Sequence, residues 1–114
     1  MELLETQEAL QAAIQTRPMV IVQFGTESCA PCKALQHKIA IWNQSHPAVS
    51  HIYIPAADFP ALCAQMGVFT VPAIFVYVDG RLSLQQSGYF SLEQLLKQVE
   101  KYQRMLEDAG LLHR

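Results

Sequence analysis

Two cysteines stand close together in the chain, because only Ala30 and Pro31 separate Cys29 from Cys32. The residues Met19–Phe24 before them are almost all apolar, which predicts a strand buried on both faces. Pro31 favours the first turn of a following helix, where its missing N–H costs nothing. Backbone N–H groups and the positive end of a helix dipole at such a junction stabilise a thiolate relative to a thiol. The pair therefore predicts thiol chemistry, with Cys29 as the candidate nucleophile.

Two other interpretations of the cysteine pair are a buried structural pair and half of a zinc site. The chain holds no second CxxC, and His37, which follows Cys32 on the same predicted helix, does not complete a set of zinc ligands. Redox chemistry without a metal is therefore the favoured interpretation. The third cysteine, Cys63, is interpreted as a small buried apolar residue of a short helix, with a third redox centre as the alternative.

Composition limits the function classes further. A chain of 114 residues is expected to form one domain, residues 1–114, and its 51% hydrophobic and 16% charged content argues against disorder. No apolar run reaches the roughly eighteen residues of a membrane span, and the acidic first residues lack the pattern of a secretory signal. Eight basic and ten acidic residues are scattered and give a net charge of −2. We therefore expect a cytoplasmic protein whose partners include neither a membrane nor a nucleic acid.

Hydrophobic periodicity predicts the element order β-α-β-α-β-α-β-β-α. The predicted elements are a short strand near Leu3-Leu4, a helix from Thr6 to Arg17-Pro18, a strand at Met19–Phe24, a helix from the cysteine pair to Ser45-His46-Pro47, a strand at Val49–Ile54, a short helix at Pro60–Met66, strands at Ala73–Val78 and Leu82–Gln86, and a helix from Ser91 to Gly110. Asp79-Gly80 predicts a hairpin between the last two strands. The order predicts an α/β fold whose mixed sheet carries helices on both faces.

From about Thr6 to Tyr102 the chain resembles the thioredoxin family. The resemblance rests on the linked segments Val22-Gln23-Phe24, Cys29-Ala30-Pro31-Cys32-Lys33, Gly67-Val68-Phe69-Thr70-Val71-Pro72, Asp79-Gly80 and Gly88. It implies the thioredoxin fold and a thiol-disulfide oxidoreductase that acts on protein disulfides. It also implies no metal or organic cofactor in this domain, and a thioredoxin-reductase-type electron donor that resets the dithiol.

Roles for individual residues follow from the resemblance. Cys29 would attack a substrate disulfide and Cys32, the more buried thiol, would resolve the mixed disulfide, with Ala30-Pro31 as the interior of the motif. In the family the proline equivalent to Pro72 is cis and faces the dithiol, whereas an ordinary proline at the start of a strand is the alternative. The implied substrate-binding residues are Ser28, Val71, Pro72 and Gly88.

The chain departs from the family pattern around the dithiol. Ser28 stands where a tryptophan is usual, which removes apolar surface from the rim, and Ala30 replaces a common glycine. Gln23 stands where the family buries an aspartate, and Tyr53 where a lysine accompanies it. The usual proton relay is therefore missing, and Gln23 is interpreted as a core polar residue whose hydrogen bonds are satisfied.

Other residues with possible chemistry receive structural interpretations. Trp42 is expected to pack in the core, and each histidine without a pairing pattern is expected at the surface or at a helix cap. These histidines are His46, His51 and His113. The segment Lys101–Arg114 is expected to extend the last helix and to pack against the domain, with a dimer contact as the alternative.

Two other functions remain open from the sequence. The first is a thioredoxin-fold binding or adaptor module with a vestigial or regulatory dithiol, suggested by the departures at Ser28, Gln23 and Tyr53. The second is a monothiol transfer through Cys29 with glutathione, although no charges that would bind glutathione are identifiable. Retention of both cysteines and of Val71-Pro72 favours the oxidoreductase.

The glutamine beneath the dithiol predicts slow resolution, because an amide cannot accept a proton near neutral pH as a carboxylate can. Water, Glu27 or the incoming thiol would have to take part in removing the proton of Cys32 instead. We expect the Gln23→Asp variant to reduce insulin disulfides faster than the wild type between pH 6 and pH 9. An unchanged or lower rate across that range would contradict the missing-relay hypothesis.

Overall fold

The computed structural model of the protein describes residues 1–4 and 6–112, so His113 lies outside the described residues. The chain order of the predicted elements is confirmed. The elements are β1 (Glu2–Leu3), α1 (Gln7–Thr16), β2 (Met19–Gly25), α2 (Ala30–Gln44), β3 (Val49–Pro55), a 3-10 turn (Ala56–Asp58), α3 (Pro60–Met66), β4 (Ala73–Val78), β5 (Arg81–Ser87) and α4 (Leu92–Asp108).

The strands form one mixed sheet in the order β1-β3-β2-β4-β5. The strands β1, β3 and β2 are parallel, whereas β4 runs antiparallel to β2 and β5 antiparallel to β4. The strand β2 is therefore central, which explains why all its residues are buried. In the register of β2 and β3, Gln23 stands opposite Tyr53 and Ile21 opposite His51, so these four side chains share one face of the sheet.

Helices cover both faces of the sheet. Residues of α1 and α3 bury one face with Val20, Val22 and Phe24 of β2. Residues of α2 and α4 bury the other face with Met19 and Ile21. The alternating side chains of β2 thus contribute to two cores, which confirms the predicted α/β architecture.

Local sequence signals account for several helix ends. The Thr6 hydroxyl accepts a hydrogen bond of 3.0 Å from the N–H of Ala9 at the start of α1, and the Ser91 hydroxyl accepts one of 3.2 Å from the N–H of Gln94 at the start of α4. Gly67 ends α3 with a φ of 72°, a left-handed conformation in which a side chain would be strained. The predicted helix starts at Thr6 and Ser91 and the predicted end of α3 at Met66 are confirmed.

Two details differ from the sequence expectations. The first strand is Glu2–Leu3 and not Leu3-Leu4, because its register is set by pairing with β3 and by a two-bond ion pair between Glu2 and Arg17 at 2.8 and 3.1 Å. The 3-10 turn after β3 was not predicted, since three residues carry too little periodicity to indicate it. At the end of the described chain, Leu112 packs on the core formed with α4, as expected for this segment.

Candidate active site

The cysteine pair occupies the start of α2. Cys29 is the N-cap residue, and Cys32 lies in the first turn with its side chain fully buried. Their sulfur atoms form a disulfide with an S–S distance of 2.12 Å and a Cα–Cα distance of 5.2 Å. The Sγ atom of Cys29 also accepts a hydrogen bond of 3.1 Å from the backbone N–H of Cys32. The helix N-terminus thus directs an N–H group at the Cys29 sulfur, as the sequence predicted.

The two sulfur-bearing residues differ in exposure. Cys29 is half-buried and Cys32 is inaccessible, while Ala30 and Pro31 between them are exposed. A single helical turn accounts for the difference, because Cys29 stands at the end of the helix and Cys32 faces the sheet. Cys29 is therefore the cysteine of the pair that solvent reaches.

The strand β2, which leads to the dithiol, ends at Gly25, where there is no room for a side chain. A Cβ atom on Gly25 would lie 2.5 Å from Tyr53 Oη and 2.8 Å from Cys32 Cβ, both closer than side chains can approach. The first turn of α2 and the partly buried side chain of Tyr53 therefore meet over the bare backbone of Gly25. Burial, and secondarily the charge of Glu27, raises the pKa of Tyr53, so its hydroxyl stays protonated.

The loop before β4 contains a cis peptide bond between Val71 and Pro72, which confirms the cis geometry that the resemblance implied. Pro72 is buried, and its carbonyl accepts a hydrogen bond of 2.9 Å from the N–H of Gly88. The structure thus joins two of the predicted substrate-binding residues, Pro72 and Gly88, directly. Val71 is partly exposed beside them.

Ser28 directly precedes Cys29 in the loop between β2 and α2. It is exposed, and its hydroxyl is 3.5 Å from the hydroxyl of Thr26. Together with Glu27 and Asp58 it lines a shallow depression beside the end of β2. The rim at this position is polar, as expected from the serine at position 28.

A buried glutamine lies beneath the first turn of α2. Gln23 is fully inaccessible, and its Nε2 donates a hydrogen bond of 2.8 Å to the backbone carbonyl of Cys32. Its Oε1 lies 3.2 Å from Nε2 of His51. The interpretation of Gln23 as a satisfied polar residue of the core is confirmed.

The expectation that His51 lies at the surface or at a cap is wrong. Only 3% of its surface is exposed, because it lies on β3 with its side chain on the face covered by α2. Alternation along β3 was the available signal, since it places His51 on the same side as Val49 and Tyr53. Burial lowers the pKa of His51 to about 4, with a smaller effect from the amino group of Met1, so its ring is neutral near pH 7.

The remaining chemistry-bearing residues have structural environments. Cys63 is buried on α3, its Sγ lies 3.7 Å from the carbonyl of Ala56, and burial raises the pKa of its thiol. Trp42 packs on the core, as expected, and its Nε1 donates a hydrogen bond of 2.9 Å to Glu100. His46 stacks on Trp42 at 4.2 Å just after the end of α2. These environments favour the structural interpretation of Cys63.

Residues 1–4 and 6–112 hold neither a cluster of metal ligands nor a membrane span. Within them no three side chains of His, Cys, Asp and Glu come together as metal ligands would. No helix in the same residues combines the length and the apolar character needed to cross a bilayer.

Known proteins resemble this chain along most of its length. A sequence model of the thioredoxin family matches residues 2–101. Thioredoxin of Alicyclobacillus acidocaldarius subsp. acidocaldarius is 27% identical over 95 residues, which cover 82% of this chain and 90% of that protein. Thioredoxin-2 of Pyricularia oryzae is 26% identical over 68 residues, which cover 60% of this chain and only 40% of that protein.

A solved structure supports the same fold. The oxidized mitochondrial thioredoxin 3 of Saccharomyces cerevisiae superposes with a TM-score of 0.80, over 89% of this chain and 94% of that one, at 19% identity. An identity this low shows the fold alone. The fold and the paired cysteines are those of a thioredoxin-fold dithiol protein, consistent with a thiol-disulfide oxidoreductase. The chain belongs to the thioredoxin family, because the family match extends over residues 2–101.

The buried histidine predicts a specific loss of stability in acid. The pKa of His51 is about 4 in the folded protein against an ordinary 6.5, so the unfolded chain binds the extra proton first as the pH falls. Stability contributed by neutral His51 is therefore complete above pH 6.5 and is lost between pH 6.5 and pH 4. We expect His51→Gln to lose about 3 kcal/mol less unfolding free energy than the wild type between pH 7 and pH 4, measured by urea denaturation.

The exposed His37 provides the matched control. A His37→Gln variant is expected to follow the acid dependence of the wild type. Equal acid dependence in the wild type and in His51→Gln would show that His51 does not carry this effect.

Proposed function

We propose that the protein reduces disulfides of protein substrates through Cys29 and Cys32, and that residues 1–114 act as one domain. The observation that carries the proposal is the half-buried Cys29 at the N-terminus of α2 with the inaccessible Cys32 one turn behind it. Thioredoxin-family proteins act on protein disulfides, and this chain keeps both cysteines of the motif. The reaction needs no metal or organic cofactor in the domain.

The proposed reaction transfers two electrons from the dithiol to the substrate. The Cys29 thiolate attacks one sulfur of the substrate disulfide, a Cys29–substrate bond forms, and the first substrate sulfur leaves as a thiolate. Cys32 then loses its proton and attacks the Cys29 sulfur, which releases the second substrate thiolate. The product is the Cys29–Cys32 disulfide seen in the structure. A thioredoxin-reductase-type donor in the cytoplasm returns two electrons and restores both thiols.

The register of β2 and β4 supports an extended polypeptide as the substrate, because Phe24 pairs with Ala73 and the Val71-Pro72 loop therefore adjoins the strand end that leads to the cysteine pair. The main chain of Val71 offers hydrogen bonds to an extended segment, with Pro72, Gly88 and Ser28 completing the contact surface. The Gly88–Pro72 hydrogen bond holds the two loops that contain these residues together. Each loop carries a strongly exposed aromatic residue, Phe69 at 85% and Tyr89 fully exposed. Exposed apolar surface of this kind favours contact with apolar side chains of a protein substrate.

Trapping of a mixed disulfide tests the proposed order of attack. We expect Cys32→Ser to accumulate a covalent adduct with an oxidised protein such as insulin, because the second attack cannot occur. Cys29→Ser is expected to form no adduct, since its remaining motif thiol is inaccessible. The adduct is measured by mass spectrometry after acid quenching.

Cys63→Ser is the matched control for this experiment, because Cys63 is a buried free cysteine outside the motif. It is expected to reduce insulin at the wild-type rate. Adducts that form equally on Cys29→Ser, or that disappear when Cys63→Ser is added to Cys32→Ser, would contradict the assignment.

A binding or adaptor module with a regulatory dithiol is the second candidate function. The uncharged Gln23 and Tyr53 beneath the dithiol favour it, because they lack the base expected for rapid turnover. The two candidate functions differ in whether the dithiol oxidises reversibly and in whether it reduces disulfides repeatedly. For the reductase we expect reversible oxidation against a glutathione buffer and continuous insulin reduction with NADPH and thioredoxin reductase. A dithiol that neither oxidises reversibly nor turns over would support the adaptor instead.

A further inference from the structure

A chain of three buried groups connects β3 to the cysteine pair. The Cys32 carbonyl accepts from Gln23 Nε2 at 2.8 Å, and Gln23 Oε1 lies 3.2 Å from His51 Nε2. Gln23 is fully inaccessible and His51 is 97% inaccessible, so this polar chain lies within the core. The proposed exchange reaction assigns no role to His51.

The orientation of each of these three groups follows from which of its atoms can donate a hydrogen bond. A backbone carbonyl only accepts, so the Gln23 amide must present its NH₂ group to Cys32 and its oxygen to His51. The Gln23 oxygen also only accepts, so Nε2 of His51 must carry the hydrogen. In the neutral ring Nδ1 is then a bare acceptor, and it has no hydrogen-bond partner among the described residues.

We propose that His51 is a positioning residue for the resolving cysteine. Its Nε2–H fixes the Gln23 amide, and this amide holds the Cys32 carbonyl and with it the first turn of α2. The inference rests on the proposed exchange reaction, because it concerns the second attack of that reaction. It gives a role to the uncharged Gln23, which stands where the resemblance implies a buried carboxylate, and to His51, which lies on β3 two residues before the position of the implied lysine.

The surroundings of His51 keep this pair uncharged during the reaction. On β2 its neighbours are Ile21 and Gln23, and just before β1 the amino group of Met1 is the charge that acts on it. On α2 the buried residues are the apolar Ile39 and Cys32, whose thiol is the one group there that ionises in the resolving step, while the charged and titratable side chains Lys33, His37 and Lys38 are exposed. On β3 the hydroxyl of Tyr53 stays protonated. The resolving step should therefore depend on pH through the Cys32 thiol alone.

Reaction of the reduced protein with 5,5′-dithiobis(2-nitrobenzoate) separates the two attacks. Cys29 attacks the reagent and releases one thionitrobenzoate, and Cys32 then attacks the Cys29 adduct and releases the second. The first phase reports on Cys29 and the second on the position of Cys32. No protein substrate takes part in this reaction. A protein that shows both phases at the expected rates but does not reduce insulin would therefore contradict the proposed function and leave this inference standing.

Variants at position 51 test whether a donor is needed there. We expect His51→Leu, which cannot donate to Gln23, to slow the second phase about tenfold and to change the first phase by less than about threefold. His51→Gln places an amide N–H near the position of Nε2 and is expected to stay within about threefold of the wild type in both phases. His37→Leu, on the exposed face of α2, is the matched control and should change neither phase.

A double-mutant cycle tests whether His51 acts through Gln23. Gln23→Leu removes the amide without adding a base, unlike Gln23→Asp, and should slow the second phase as much as His51→Leu. Adding His51→Leu to Gln23→Leu should then have no further effect on that phase. Additive effects would overturn the proposal, as would equal slowing of both phases in His51→Leu.

Two further measurements keep the test decisive. If His51→Leu does not fold in urea titrations, His51→Asn replaces it, because its shorter amide does not extend as far as Nε2. The second-phase rate of the wild type should show one inflection between pH 5 and pH 9. A second inflection in the wild type that is absent from His51→Gln would show that His51 ionises during resolution and would overturn its role as a neutral positioning residue.

Discussion

Close contact between the end of β2 and the first turn of α2 is the constraint on which the site depends. At Gly25 the backbone of the strand lies against Cys32 and Tyr53 with no room for a Cβ atom. This contact places Cys32 in the core, while Cys29 at the helix N-cap remains partly exposed. The difference in exposure, which the proposed mechanism uses to order the two attacks, is a consequence of that single approach of helix to strand.

The same contact creates a buried face that has to be satisfied with hydrogen bonds. The Cys32 carbonyl lies in the first turn of α2 and also accepts a hydrogen bond from Gln23, so the buried Gln23 amide has an acceptor. An amide and a neutral imidazole lose less hydration on burial than a carboxylate and an ammonium do. This arrangement leaves the Nδ1 atom of His51 without a hydrogen-bond partner within the described residues, which costs free energy. Protonation of the buried ring would cost more, and this is why burial lowers the pKa of His51.

Local patterns in the sequence were sufficient for most of the fold. The apolar run of β2, the caps at Thr6 and Ser91 and the glycine after α3 all express rules that act within a few residues. The greater burial of Cys32 and the cis bond before Pro72 were different, because only the family resemblance implied them.

The role of His51 could not be read from local patterns. Its partner Gln23 is distant in sequence, and the two meet only because β2 and β3 pair in one particular register. A shift of that register by one residue would place the imidazole on the opposite face of the sheet. The two-residue strand β1 was misplaced for a related reason, since its boundaries depend on pairing with β3 and not on its own residues.

The proton balance of the proposed mechanism explains how a site without a buried carboxylate can still resolve the mixed disulfide. The first attack releases a substrate thiolate, and this thiolate forms beside Cys29, one helical turn from Cys32. A released thiolate is a stronger base than a carboxylate, so it can accept the Cys32 proton before it diffuses away. The base then comes from the substrate and is present only after the first bond has formed. Proton removal from Cys32 is thereby coupled to substrate attack, and the core beneath the dithiol needs only to hold the second thiol in place.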